Sequence, residues 1–469
     1  MDNQLEALTI IFTETYYWIT VVLMFLIHVG FCIYEVSASR RKNMLHTLMK
    51  NTMLIPLVTV TFYFFGWWLY FAFQNGPGII GGMIAAPWAT PWSELMGTHM
   101  GGEPNQQGLS SEDTMAWARI NGVFWAAFLL FSWTAASIVS GAVIERIRSG
   151  AFWILAILIG SFCWVIDAAW GWSESGWMVQ KLGYHDAYAS GVIHAIAGGF
   201  ALGVLIHLGA RIGKFSADGM PQDIRPHNPW LVTVGLFLIY TGFWGFYVAC
   251  NIPIIDIGDA AGMDAPFFST TNIYLTPTST SAITFNFLMS LSGGMMVGYL
   301  VSKGDPFWTY SLGLAGIIGA SAGNDLYHPI HAMFIGGGAA IVAYKMHYWV
   351  ERRWAIDDAV GAVAVHGYAG FYGVVVAGFM LWGYPSSMHA DYAVITPWGQ
   401  LIGAVIMFFV LGFVPGYLAA GILKKLGRLR VPEHIELVGL DFGENAEAER
   451  AAREVLVAER RAAGNLPRE

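Results

Sequence analysis

Eleven stretches of this chain are apolar almost throughout, at 14–36, 51–73, 117–143, 151–172, 187–209, 230–252, 274–301, 307–323, 329–348, 357–383 and 397–423. At about 20 residues each, such runs cross the roughly 30 Å hydrocarbon layer of a bilayer as helices. The pattern predicts an all-α polytopic membrane protein of eleven transmembrane helices. Long apolar runs with internal glycine exclude the alternating strands of a membrane barrel. Between the runs, basic residues fall in every other loop: Arg40, Arg41 and Lys42; Arg146 and Arg148; Arg211, Lys214 and Arg225; Lys303; Lys345, Arg352 and Arg353; and Lys424, Lys425, Arg428 and Arg430. The positive-inside rule then puts the N-terminus outside and the tail in the cytoplasm, as an odd number of crossings requires. The expected division is a transporter domain over 1–430 and a cytoplasmic tail over 431–469.

Composition agrees with a life in lipid. Of 469 residues, 56% are hydrophobic and only 12% charged, with a mean hydropathy of +0.52. Soluble domains carry roughly 25% charged residues. The 55 glycines suit helices that approach closely where no hydrophobic drive separates helix from lipid. Cys32, Cys163 and Cys250 lie in apolar stretches and read as small core residues rather than a disulfide framework. The net charge of −8 resides mostly in loops and tail and carries no nucleic-acid signal. No basic segment precedes the first apolar run, so a cleaved signal peptide is not expected. Residues 444–464 alternate Glu, Arg and Ala, as a solvent-exposed helix does; they are either a solvated extension or a regulatory docking element.

Two membrane-buried histidines stand out. The chain reads HAIAGGFALGV from His194 and HGYAGFYGVVV from His366, sharing H-x-x-A-G. The first lies in an inward-running helix and the second in an outward-running one, which makes helices 1–5 and 6–10 inverted halves followed by an eleventh helix. Sites in inverted-repeat transporters lie near the midplane between the repeats. A single buried histidine is often a core residue bonded to a carbonyl; two at equivalent positions point to a site. Bonded to each other, two imidazoles leave an acceptor nitrogen for a small polar solute or a proton. His28 and Glu35, seven residues apart on helix 1, read as a structural pair or an intersubunit contact, with a pore role as the alternative. No phosphate loop, zinc-spaced Cys or His cluster, or dinucleotide turn is present, so neither enzymatic activity nor a cofactor is expected.

Several ordered motifs carry a resemblance: RRKNMLHTLMKN after helix 1, SGAVIERIRSGAF after helix 3, D-x7-H from Asp186 to His194, YTGFWGFYVACN in helix 6, DDAVGAVAVHGYAGFYG in helix 10 and LRVPEHIELVGLDFGEN after helix 11. From helix 1 to the tail, the chain resembles the ammonium transporter, methylammonium permease and Rh family, and within it the ammonium branch. The resemblance implies a homotrimer with one pore per subunit, His194 and His366 as its twin histidines, and Phe131 and Phe246 as stacked gate phenylalanines. It implies cation recruitment at Trp170, Asp186 and Cys250, with Asp186 holding backbone carbonyls toward the cation. A cytoplasmic nitrogen-regulatory protein at the inner mouth is a further implied partner. Physics supports the aromatic roles, since a cation over an aromatic face gains roughly 0.5–2 kcal/mol, and rings across a narrow apolar pore turn back hydrated ions.

The chain also departs from the family. Cys250 replaces a hydroxyl, Ala189 and Ser190 replace a Gly-Gly pair, and Gly361 replaces an aspartate five residues before the second histidine. SAGNDLYHPIH stands between helices 8 and 9, placing Asp325, His328 and His331 outside, as a solvated loop or a remodelled vestibule. The function expected is passage of ammonium or ammonia across the cytoplasmic membrane, the cation being gathered and deprotonated at the aromatic gate. The alternatives are a carrier of methylamine or larger alkylamines, and an ammonium sensor signalling through the tail.

Overall fold

The computed structural model describes residues 2–76, 78–93, 96, 112–256, 267–442 and 454–461. Long helical runs occupy the positions read from the apolar pattern. These are α1 Leu8–Ala38, α2 Arg41–Ala72, α3 Ile120–Ala142, α4 Ser149–Gly171, α5 Ser190–Leu208, α6 Pro229–Ala249, α7 Thr280–Val301, α8 Pro306–Ala320, α9 Pro329–Trp354, α10 Val363–Met380 and α11 Pro397–Lys425. Among the described residues, nine of these are long and apolar enough to cross a membrane. The other two are α8, with 15 residues, and α9, which ends in the polar run YWVERRW. Much of the expected tail segment 444–464 falls outside the described residues; its described part, 454–461, is an exposed helix.

Local sequence sets where several runs begin. Asn228-Pro229, Asp305-Pro306, His328-Pro329 and Thr396-Pro397 each pair a capping side chain with a proline at the first helical position. The proline loses nothing, because that N–H has no helical partner, and the cap side chain accepts a bond from the first turn. Asp305 accepts from Trp308 N at 2.9 Å, for example.

The halves meet as inverted repeats should. α1 packs along α6, its counterpart in the second half, and α5 along α10. Trp18, Leu300, Phe334 and Phe409 stand exposed on the outer surface of the bundle, as lipid-facing residues do. At the ends bearing the basic loops, polar bonds tie the halves together. The buried Arg146 guanidinium donates to Ala142 O, Ile144 O, Gly209 O and Asp357 O. Arg211 grips Asp357 with two parallel bonds of 2.8 and 2.9 Å. The start of the tail is docked on this face rather than free in solvent. Within helix α12 (Glu433–Val438), Glu436 accepts from Ile212 N at 2.7 Å, and beyond it Asp441 accepts from Leu45 N and His46 N at 3.1 and 2.9 Å.

The fold is predominantly helical, with one departure from the all-α expectation. Between α6 and α7 the chain forms a three-stranded antiparallel sheet, β1 Asn251–Asp256, β2 Phe267–Asn272 and β3 Pro277–Thr278, with Asn251 opposite Asn272. The first residues of the expected span 274–301 are therefore strand and turn.

Candidate functional site

Both histidines sit in π-helical turns, His194 in Ser190–Ala195 and His366 in Val363–Tyr368. Single π turns inside α-helices recur at functional sites. Here they bring the two rings together, with His194 Nδ1 3.1 Å from His366 Nδ1. The shared H-x-x-A-G motif explains how the helices come so close. A Cβ on Gly198 would lie 2.2 Å from Gly367 Cα, and one on Gly370 would lie 2.2 Å from Ser190 O. Each motif glycine abuts the opposite histidine's helix.

An Nδ1-to-Nδ1 bond needs one donor and one acceptor. The neutral pair therefore presents one bare and one protonated Nε2 at its two ends. Taking a proton at the bare end, shifting the bridging proton and releasing one from the far end moves charge along the pair. His194 Nε2 has no hydrogen-bond partner among the described residues.

Aromatic rings close the site on the side of the β-sheet. His194 stacks on Phe243 and Phe246, each with centroids 5.8 Å away. Phe131 meets Phe246 edge to face, with centroids 4.8 Å apart and planes at 86°. A positive ring edge toward a negative face is the favoured geometry for such pairs. A third ring, Trp172, lies 4.8 Å from Phe131. Trp170, the tryptophan singled out from the sequence, packs instead on Trp177 at 5.8 Å and is only half-buried. Helix α4 ends at Gly171, so the two tryptophans leave it in different directions; a tryptophan two residues further on was the only sequence signal for Trp172.

Asp186 is fully buried and committed to the backbone. Its carboxylate accepts from Ser190 N at 2.7 Å, Gly191 N at 2.7 Å and Val192 N at 2.9 Å, closing the open amino end of α5. It orients the turn that carries His194 rather than offering a free oxygen. Cys250, at the end of α6, donates its thiol to Phe246 O at 3.1 Å.

The outer trio Asp325, His328 and His331 separates. Asp325 is buried, contrary to the solvated loop or vestibule expected of it. It pairs with His185 Nε2 at 3.0 Å and accepts from Asn272 Nδ2 at 2.5 Å. Burial, the largest single influence, lowers the His185 imidazole, but the Asp325 carboxylate, the Ser386 carbonyl and Asp186 together leave the group above its usual value. His328 spends Nδ1 on Ile330 N as the cap of α9, and both it and His331 are exposed. His28 and Glu35 do not pair: His28 contacts Ser137 Oγ at 3.4 Å, while Glu35 turns to Lys50, Asn51 and Ser140.

Known proteins share this architecture. A protein named Sensor Amt Protein superposes with a TM-score of 0.73 at 23% identity, covering 94% of this chain and 100% of that one. Ammonium transporter Amt2 of Archaeoglobus fulgidus is 28% identical over 448 residues, 90% of this chain and 85% of the relative. Ammonium transporter Amt2 of Methanocaldococcus jannaschii is 30% identical over 427 residues, 90% of this chain and 88% of the relative. With the family model described as Ammonium Transporter Family matching residues 15–450, the chain belongs to the ammonium transporter family.

Proposed function

We propose that this ammonium transporter family member carries ammonium inward across the cytoplasmic membrane through a pore centred on His194 and His366. The cation is gathered beside Trp172, with Trp170 further out, and meets Phe131 and Phe246. It gives its proton to the histidine pair there, and amine and proton cross separately. The observation that carries this reading is the 3.1 Å bond between two imidazoles in equivalent π turns of inverted halves, walled by phenylalanine. An apolar wall rejects a hydrated cation, while the pair offers its proton a separate route.

The reading extends to eleven crossings with the N-terminus outside, supported by the gathering of Arg146, Arg211 and Arg430 at the ends remote from Asp186. It also extends to a homotrimer with one pore per subunit, and to a cytoplasmic regulatory protein at the inner mouth. A second reading, an ammonium sensor, is favoured by the tail docking through Glu436 and Asp441.

Currents and uptake in proteoliposomes for ammonium and its mono-, di- and trimethyl forms test the first reading. Ammonium should be carried, and His194→Ala and His366→Ala should each change its transport. Passage of only the larger amines, or indifference to both substitutions, would sink it.

A further inference from the structure

A cavity of about 20 Å³ lies against His366, lined also by Glu35, Tyr34, Ser311, Gly141 and Gly361. That is room for about one water. The Glu35 side chain is wholly buried, and its two oxygens are used very differently. Oε2 accepts from Ser140 Oγ at 2.6 Å and Asn51 Nδ2 at 3.0 Å, with Lys50 Nζ at 3.6 Å. Oε1 has no hydrogen-bond partner among the described residues. A Cβ on Gly141 would stand 3.5 Å from it and 2.7 Å from Val360 Cγ2, so a methyl there would crowd the cavity wall beside this oxygen. A buried, unpartnered carboxylate oxygen is costly and marks a group with work to do.

Lys50 is anchored independently of that oxygen. Its ammonium donates to Ser140 O at 2.8 Å and lies 4.9 Å from the Phe152 ring centre. The cation therefore keeps a carbonyl and a ring face as partners when Glu35 is neutral; protonating the carboxylate removes its counter-charge, a cost that favours release of the proton again.

We propose that Glu35 is the inner proton acceptor of the pore, taking the proton that His366 releases through one water in the cavity between them. This rests on the histidine relay proposed above. An N–H bond on His366 breaks as the water takes that proton, and the water passes another to Glu35 Oε1, where an O–H bond forms. The acid then returns its proton on the cytoplasmic side, to water or to the emerging amine. No oxidant or other reactant is needed. The amine moves neutral and the charge moves by way of Glu35, so transport is current-carrying.

The test reads two quantities from full-length protein in proteoliposomes: current on an ammonium jump, and the total ammonia plus ammonium accumulated inside the vesicles. The variants are Glu35→Gln combined with Lys50→Met, which removes both charges together, and Gly141→Ala, which keeps the charges and narrows the cavity. A positioned acid–base group is worth roughly a hundredfold or more, so current per ammonia carried should fall by about that factor in the double variant. It should fall in the same direction in Gly141→Ala and recover in part with Glu35→Asp. A packing defect would lower both quantities together and leave their ratio unchanged, which overturns the proposal. If the double variant does not reach the membrane, Gly141→Ala decides, and a wild-type ratio there also overturns it. Loss of transport in His194→Ala with a wild-type ratio in both Glu35-site variants defeats this proposal and spares the relay. Indifference to His194→Ala defeats both.

Discussion

The two histidine helices share a motif, a π turn and a D-x7-H spacing, yet their capping aspartates behave differently. Asp186, eight residues before His194, is fully buried and receives three backbone N–H groups. Asp358, eight residues before His366, receives one, Ala364 N at 3.1 Å, with His347 Nδ1 at 3.7 Å, and its Oδ1 has no hydrogen-bond partner among the described residues. The centre of the molecule is symmetric and its two approaches are not. One approach is rigidly capped and aromatic; the other is loosely capped and carries the Glu35–Lys50 pair. A duplicated scaffold brings two like groups together, and the difference between the halves lies in the flanks.

The sharpest way to break the comparison is to neutralise each aspartate. Asp186→Asn should cost about 2–3 kcal/mol, because the amide offers one acceptor oxygen to three N–H groups and leaves a buried donor unmet. Asp358→Asn should cost about 1 kcal/mol, like an ordinary helix cap. Thermal unfolding in detergent reads both, and equal losses would show the caps to be equivalent. Next in size are Gly198→Ala and Gly370→Ala. Each added methyl meets backbone 2.2 Å away, and each should cost about 1–3 kcal/mol and reduce transport by prising the histidines apart. Here the halves should behave alike, so free tolerance of one substitution would contradict a symmetric centre.

The smallest effect concerns pH. The His185 imidazole is raised in the fold because Asp325, Ser386 O and Asp186 together outweigh burial, so its charged form is the one favoured. The stability it supplies is complete below the usual imidazole value of about 6.5 and is lost as pH climbs through the raised value. The unfolding temperature should fall across that alkaline side in the wild type and change less in Asp325→Asn. A flat wild-type profile would remove the pair from the account.

Much of this was legible in the sequence because it is periodic or repeated. Runs of about 20 apolar residues announce helices, and H-x-x-A-G announces the pair of histidines. What escaped depends on contacts remote along the chain. Asp325 looked like a loop residue because its partners lie 140 residues earlier at His185 and 53 earlier at Asn272. Glu35 suggested His28, on its own helix face, whereas its cation and bonded hydroxyl come from α2 and α3. Trp172 and Trp170 differ by two positions, and only the end of α4 decides which ring turns to Phe131. The small sheet escaped because its strands are short and interrupt a stretch otherwise read for helices.

The bond at the heart of the molecule joins residues 172 positions apart. A ribosome adding roughly 5–20 residues per second exposes His194 about 10–30 seconds before His366 exists. If the chain enters the bilayer as it is made, the first half must spend that interval with a polar ring and no mate. Phe243 and Phe246, which wall that ring, arrive well before the second histidine, so the apolar lining of the pore is assembled ahead of its chemistry.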